Sequence, residues 1–268
     1  MSYPKLDNLQ QCIWCLKNEP NITFLKKAHT IPRSLGGKHY NKKVCDNCNE
    51  FFGDRKSLNN KYSIETVLKE AFIVSRTRYL PQHPKKNVGK FKSQFFEIKY
   101  RNNKPRLSPR ISYKFSSQTE LCRAFKRGLY KMYFEEISRQ NGIGFEDKFN
   151  LIRNFARFDI GDLPVYYFTK RIGATLMFKS ESETPILLFN RMKYLYSDEK
   201  FVEIEFLGHV LGFPIAEYSK RDLEKYLKKS IDLKKEIFST YKEIQYFTDI
   251  DFTLSLFDSK PKNQNGDL

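Results

Sequence analysis

Four cysteines stand in two pairs near the N-terminus, and each pair encloses two residues: Cys12 with Cys15, and Cys45 with Cys48. A two-residue spacer lets both sulfurs of a pair face the same ion, so four thiolates at this spacing predict one tetrahedral Zn2+. Four sulfur ligands fill the coordination sphere and leave no position for water. The predicted zinc is therefore structural, and Trp14, inside the first pair, is expected to pack beneath it.

A histidine and an asparagine near these pairs could act together on a phosphodiester. His29 is followed by Ile31 and Pro32, and Asn49 comes directly after Cys48. An imidazole can accept a proton from water near neutral pH, and a backbone carbonyl is expected to orient its other ring nitrogen. An amide oxygen is a hard ligand that suits Mg2+. Phosphodiester hydrolysis needs both an activated water and a cation that stabilises the developing charge.

This arrangement resembles the HNH endonucleases of the ββα-metal (His-Me finger) group, especially the branch with a structural four-cysteine zinc. The resemblance covers about the first quarter of the chain. It implies that His29 is the general base on the first strand. It also implies that Asn49 opens a helix and holds the catalytic ion, Mg2+ or Mn2+. Arg33 could clamp the scissile phosphate, with a solvated cation as the alternative interpretation.

The chain departs from that family at two positions where many members carry further metal ligands. Ala28 precedes the histidine, and Ser57 and Leu58 stand eight and nine residues past the asparagine. Three interpretations remain open. A hydrated ion on Asn49 could suffice, or Asp54, about a turn and a half further along the same helix, could contribute directly or through water. Alternatively, catalysis is lost and a zinc-containing nucleic-acid-binding module remains.

Positive charge is concentrated in the same half of the chain. The formal net charge is +17, and residues 1–110 contribute +15 of it. Such a localised basic surface predicts a polyanionic partner. Residues 85–110 alternate cations with aromatic residues and predict a hairpin around Asn102 and Asn103, either tracking a phosphate backbone or forming a half-buried sheet with a solvated face. The predicted nucleic-acid contacts are Lys85, Lys86, Lys90, Lys92, Lys99 and Arg101.

The predicted fold class is α+β. Residues 1–80 form the zinc-stapled ββα-metal finger, and residues 85–258 form a mixed α+β domain for substrate binding, specificity or dimerisation. Residues 259–268 are a polar tail that is predicted to be disordered. In the second part, helices are predicted from about 117 to 139 and from 219 to 244, with strands at 165–169, 174–178, 185–189 and 201–207.

No apolar stretch is long enough to span a bilayer, and the first residues lack the apolar core of a signal peptide, which favours a cytoplasmic protein. The leading hypothesis is a metal-dependent endonuclease acting on double-stranded DNA. The resemblance adds restriction or phage defence as biological settings. The alternatives are cleavage of structured RNA by the same residues, or a catalytically inactive binding protein. Homodimerisation through the second half is a further hypothesis, because one ββα motif usually cuts one strand.

Overall fold

A computed structural model of the chain describes residues 9–54, 62–79, 93–101, 104–110, 115–171, 188–189, 195–250 and 254. These residues form both helices and antiparallel sheets, so the predicted α+β class is confirmed. Lys85, Lys86, Lys90 and Lys92 lie outside the described residues, as do Ser57, Leu58, the predicted strand at 174–178 and the predicted tail.

The N-terminal region has the predicted order of two strands and a helix. Strands β1 (Ala28–His29) and β2 (Tyr40–Asn41) pair antiparallel, with His29 opposite Tyr40, and helix α1 (Asp46–Gly53) follows. Between the strands a short 3-10 turn ends at Gly36, whose φ of 94° favours glycine. Gly37 is needed for a different reason: a Cβ there would lie 1.9 Å from the carbonyl oxygen of Ile31.

Two helices and a hairpin come next along the chain. Helix α2 (Ile64–Tyr79) packs against helix α3 (Phe115–Asn141), and Gly128 lets the two helices approach closely because its Cα faces Leu68 and Ile64. Between them β3 (Phe96–Arg101) pairs with β4 (Lys104–Pro109) in the predicted hairpin.

Helix α3 is buried on nearly every side between residues 121 and 138. Its periodic apolar residues alone predict one buried stripe, but its charged residues are buried as well. A helix buried all round lies at the centre of a fold, and α3 accordingly contacts the N-terminal finger, α2 and the segment that follows it.

The C-terminal part contains a five-stranded antiparallel sheet. Its order is β6 (Leu188–Phe189), β7 (Phe201–Phe206), β8 (His209–Pro214), β5 (Tyr166–Lys170) and β9 (Phe238–Glu243). A short helix, α4 (Asn150–Ile152), continues as a π-helix over Arg153–Arg157 and precedes β5. Strand β8 has no counterpart among the predicted strands.

Helix α5 (Lys220–Asp232) begins at the predicted cap, where Ser219 and Asp222 bond each other's backbone. The expectation that it continues to residue 244 is wrong. Residues 238–243 instead form β9, the edge strand next to β5. Their pairing satisfies backbone groups of β5 that β8 does not reach, and Phe238 packs against Phe168.

Buried side chains from both predicted domains join in one cluster. Trp14 and Phe52 of the finger, Phe134 of α3 and Phe206 of the sheet all belong to it. The domain boundary near residues 80–85 therefore stays a prediction from the sequence. Among the residues that the structure describes, no helix combines the length and apolarity needed to cross a bilayer.

Candidate active site

The four predicted zinc ligands converge. The sulfurs of Cys12, Cys15, Cys45 and Cys48 all lie within 4.8 Å of one another, and those of Cys15 and Cys45 are 3.8 Å apart. Zn–S bonds of about 2.3 Å in a tetrahedron place sulfurs about 3.8 Å apart. The donor set and its spacing therefore fit a structural zinc.

Hydrogen bonds support negative charge on the sulfur of Cys12. The N–H groups of Trp14 and Cys45 donate to Cys12 Sγ at 3.4 Å each. The hydrogen bond from the Cys48 thiol is the main cause that lowers the pKa of the Cys12 thiol, to about 5; burial opposes the change, and the backbone N–H groups add to it. A thiolate is the form that binds metal.

Residues of the later chain hold the cysteine cluster in place. Arg157 Nε donates to Cys48 Sγ at 3.5 Å, and its guanidinium carbon lies 3.9 Å from the centroid of the Phe51 ring. Arg153 Nε donates to the Ile13 carbonyl at 2.7 Å, inside the first cysteine pair. Because four thiolates and one zinc carry excess negative charge, the Arg157 cation also balances the site.

Trp14, inside the first cysteine pair, packs against α1 and α3. It is fully buried, with ring centroids 5.0 Å from Phe52 and 4.8 Å from Phe134, and its indole N–H donates to Glu135 Oε1 at 2.9 Å. The finger is thus attached to α3 through both apolar contact and a buried hydrogen bond.

His29 is half-buried on β1 and its ring is oriented by its own strand. Nδ1 lies 3.1 Å from the carbonyl oxygen of Lys27, the kind of partner that the sequence predicts. A carbonyl can only accept, so Nδ1 carries a proton, and in the neutral imidazole Nε2 then has the free lone pair. This tautomer is the one that a general base needs.

The backbone of His29 is held from α3. Lys131 Nζ, which is fully buried, donates to the His29 carbonyl at 2.8 Å and to Glu65 Oε1 at 2.9 Å, and pairs with Glu135 Oε2 at 3.2 Å. The sequence analysis missed Lys131, since a lysine within a helical apolar pattern carries no local sign that it is buried.

Asn49 lies in the first turn of α1, where its N–H bonds the Cys45 carbonyl at 2.9 Å and its side chain is half-buried. The start of α1 is tied to the segment before β1. Asp46 accepts from the N–H groups of Leu25 and Lys26 and from the Thr23 hydroxyl, and Lys26 also pairs with Glu50. These bonds tie α1 to the segment that leads into the strand carrying His29.

Asp46 is a second residue that the sequence analysis missed. Burial alone would raise its pKa, but the hydrogen bonds from Thr23, Lys26 and Leu25 outweigh burial and keep the pKa below its usual range. The sequence did carry a signal for Asp46. An acidic residue at the first position of a predicted helix interacts favourably with the helix dipole.

The remaining predicted positions are placed as follows. Arg33 is exposed at the start of the 3-10 turn. Helix α1 ends at Gly53, so the expectation that Asp54 continues this helix is wrong; Asp54 is extended, and its N–H bonds the Glu50 carbonyl at 2.8 Å. Ala28 is fully buried opposite Asn41, facing away from the His29 side chain.

The hairpin cations are only partly described. Lys99 is exposed, with its side chain 72% accessible, and it stands opposite the exposed Arg106. The backbone of Arg101 lies in β3. His209, by contrast, is buried in the core between Ser75 and Tyr167 and has a structural role.

Residues 12–59 match the family model of the HNH endonucleases, and this region is an HNH-type domain with a four-cysteine cluster. The match spans less than a fifth of the chain and supports nuclease activity on a nucleic acid. No curated protein and no solved structure matches the chain.

Proposed function

We propose that this protein is a metal-dependent endonuclease that hydrolyses phosphodiester bonds in DNA, with His29 as general base. The observation that supports the proposal most directly is the contact of His29 Nδ1 with the Lys27 carbonyl. It leaves Nε2 available to take a proton from the attacking water.

Asn49 is the proposed protein ligand of a catalytic Mg2+ or Mn2+, which when bound would stabilise charge on the scissile phosphate and leaving oxygen. The Asn49 amide offers one hard oxygen, and Mg2+ commonly keeps several waters and binds few protein groups. Ala28 packs into the core and offers no ligand. Asp54, beyond the end of α1, is the weaker proposed ligand, directly or through water. Arg33 is the proposed phosphate clamp.

A plasmid assay with Mg2+ and Mn2+ titrations tests the proposal. Wild-type protein is expected to nick or linearise supercoiled plasmid, while His29→Ala and Asn49→Ala are each expected to lose about 10²–10⁴-fold in rate. Asn154→Ala, an exposed asparagine on the π-helix, is the matched control and keeps full activity. Zinc content and Trp14 fluorescence establish that each variant is folded.

The assay also decides between the proposal and its alternatives. Equal cleavage by wild type and His29→Ala would assign the activity to a contaminant. Preferential cutting of labelled hairpin RNA over duplex DNA would replace DNA by RNA as the substrate. Binding of DNA without cleavage in any metal would identify an inactive binding module. Double-strand cleavage by one finger per chain would require a homodimer, which the molar mass in solution reports.

A further inference from the structure

A cavity of about 440 Å³ opens between β2 and the C-terminal end of α3, beside the proposed nuclease site. Its volume is within the range of about 300–1,000 Å³ that is typical of ligand clefts, and it exceeds what a single ion requires. Its lining includes Lys38, Tyr40, Lys42, Lys43 and Arg139.

The lining carries four cations; one of them, Arg139, is paired with the carboxylate of Glu136, and the other three are lysines. Lys38, Lys42 and Lys43 come from the segment around β2, and all three are exposed, as is Arg139 at the end of α3. Like charges gathered in one cleft raise the local potential and attract an anion. The cavity is thus chemically suited to a polyanion.

Two of these cations are held in position by their neighbours. Arg139 Nε donates to Glu136 Oε2 at 3.0 Å, and Nη2 donates to Oε1. Lys43 Nζ lies 5.0 Å from the centroid of the Phe145 ring. Side chains ordered before binding lose less conformational entropy when a ligand arrives.

Tyr40 connects this cavity to the proposed catalytic histidine. It lines the cavity and pairs with His29 across the two strands, and the two ring centroids are 6.3 Å apart. Lys27 Nζ lies 5.2 Å from the centroid of the same tyrosine ring. A ligand in the cavity therefore lies one side chain away from the imidazole.

We propose that this cavity is a second phosphate-binding site, which takes a neighbouring phosphodiester of the nucleic acid that is cut at His29. The proposal rests on the proposed function. A nucleic-acid strand repeats its negative charge along the backbone, so a strand that presents one phosphate at His29 presents the next ones to adjacent cations. Contacts of this kind position the substrate without reading its sequence.

The test is the salt dependence of binding by the full-length, zinc-containing protein. A short fluorescent duplex DNA is titrated in buffer that contains neither Mg2+, Mn2+ nor chelator, so that no cleavage occurs and the cysteine cluster keeps its metal. The double variant Lys38→Gln, Lys42→Gln is compared with wild type. The matched control is Lys228→Gln, Lys235→Gln, which removes two exposed lysines, one on α5 and one just after it.

Each lost phosphate contact reduces the slope of log K against log salt by about 0.9. The cavity variant is therefore expected to lower the slope by about 2 and the affinity by at least about tenfold at low salt, while the control keeps the wild-type slope. Equal slopes for wild type and the cavity variant would overturn the proposal, and so would an equal reduction in the control.

This result is separable from the proposed function. If wild type never cleaves but the cavity variant still loses slope, the phosphate site stands and the catalytic assignment fails. If His29→Ala stops cleavage but the cavity variant binds like wild type, the nuclease stands and the cavity is not a binding site.

Discussion

Lys131 Nζ lies 2.8 Å from the carbonyl oxygen of His29, although 102 positions separate the two residues in sequence. The buried ammonium ties the strand that carries the proposed base to the central helix, and the same ammonium is neutralised by Glu65 and Glu135. The position of the HNH-type finger thus depends on a helix from outside the matched family region.

Lys131→Met is expected to destabilise the protein by about 3–5 kcal/mol, because it leaves the fully buried Glu135 without its cation. Urea unfolding followed by the fluorescence of Trp14, the single tryptophan, measures the change. Lys126→Met is the control: Lys126 is similarly buried, but its partner Asp162 is 63% exposed at 3.7 Å. That exposed pair contributes about 1 kcal/mol or less. Equal losses in the two variants would contradict the special role of Lys131.

Cys45→Ser is expected to lose zinc and unfold the finger instead of only slowing catalysis. Zinc binding contributes about 10–16 kcal/mol to folding in small zinc-finger peptides, as much as the whole stability of a typical domain. Zinc quantification and a red shift of Trp14 emission are the measurements. Cys122→Ser, at a buried cysteine outside the cluster, should keep its zinc. A Cys45→Ser protein with unchanged melting and zinc content would refute the prediction.

Glu135 predicts a pH dependence of stability. Burial raises its pKa to about 7, against the opposing effects of Lys131 and Trp14, whereas an unfolded glutamate titrates near about 4.3. The folded state therefore favours the protonated form, and the resulting stabilisation is present below about pH 4.3 and lost as the pH rises through about 7.

Glu135→Gln does not titrate, so the unfolding free energy of wild type relative to this variant should fall by on the order of 2 kcal/mol between about pH 5 and pH 8. Urea unfolding at each pH measures the difference. Glu224→Gln on α5, where the side chain is 66% exposed, is the control substitution. A constant difference between wild type and Glu135→Gln would show that this carboxyl does not titrate in that window.

Lys99 and Arg106 face each other across the β3–β4 hairpin, and both are exposed. The double variant Lys99→Gln, Arg106→Gln removes two like charges directly opposite each other, so stability should be unchanged or rise by about 0.2–1 kcal/mol. If the hairpin tracks phosphates as predicted, the salt slope of DNA binding falls by about 2. Unchanged binding at every salt concentration would leave the hairpin with a structural role only.

The sequence alone determined the features that short spacings control. A two-residue spacer brings two cysteines to one ion, and the four sulfurs do cluster. The pairing of β3 with β4, the helical period of α3 and the Ser219 cap also depend on neighbours in sequence, so they were predictable. The resemblance identified His29 and Asn49 as candidates, and their catalytic roles stay proposals.

Only the tertiary structure decided which residues hold that site. Lys131 and Arg157 look like ordinary surface residues in sequence, and their roles come from partners on distant elements. Asp46 shows the acidic start of a helix in sequence, but its bonds to residues 23–26 appear only in the fold. Residues 238–243 form a strand because β5 offers them an edge, whatever their helical pattern. The basic cavity likewise exists because the end of α3 packs beside β2. Burial and ion pairing depend on which surfaces meet in the folded chain. The spacing of residues along the sequence does not specify those long-range contacts.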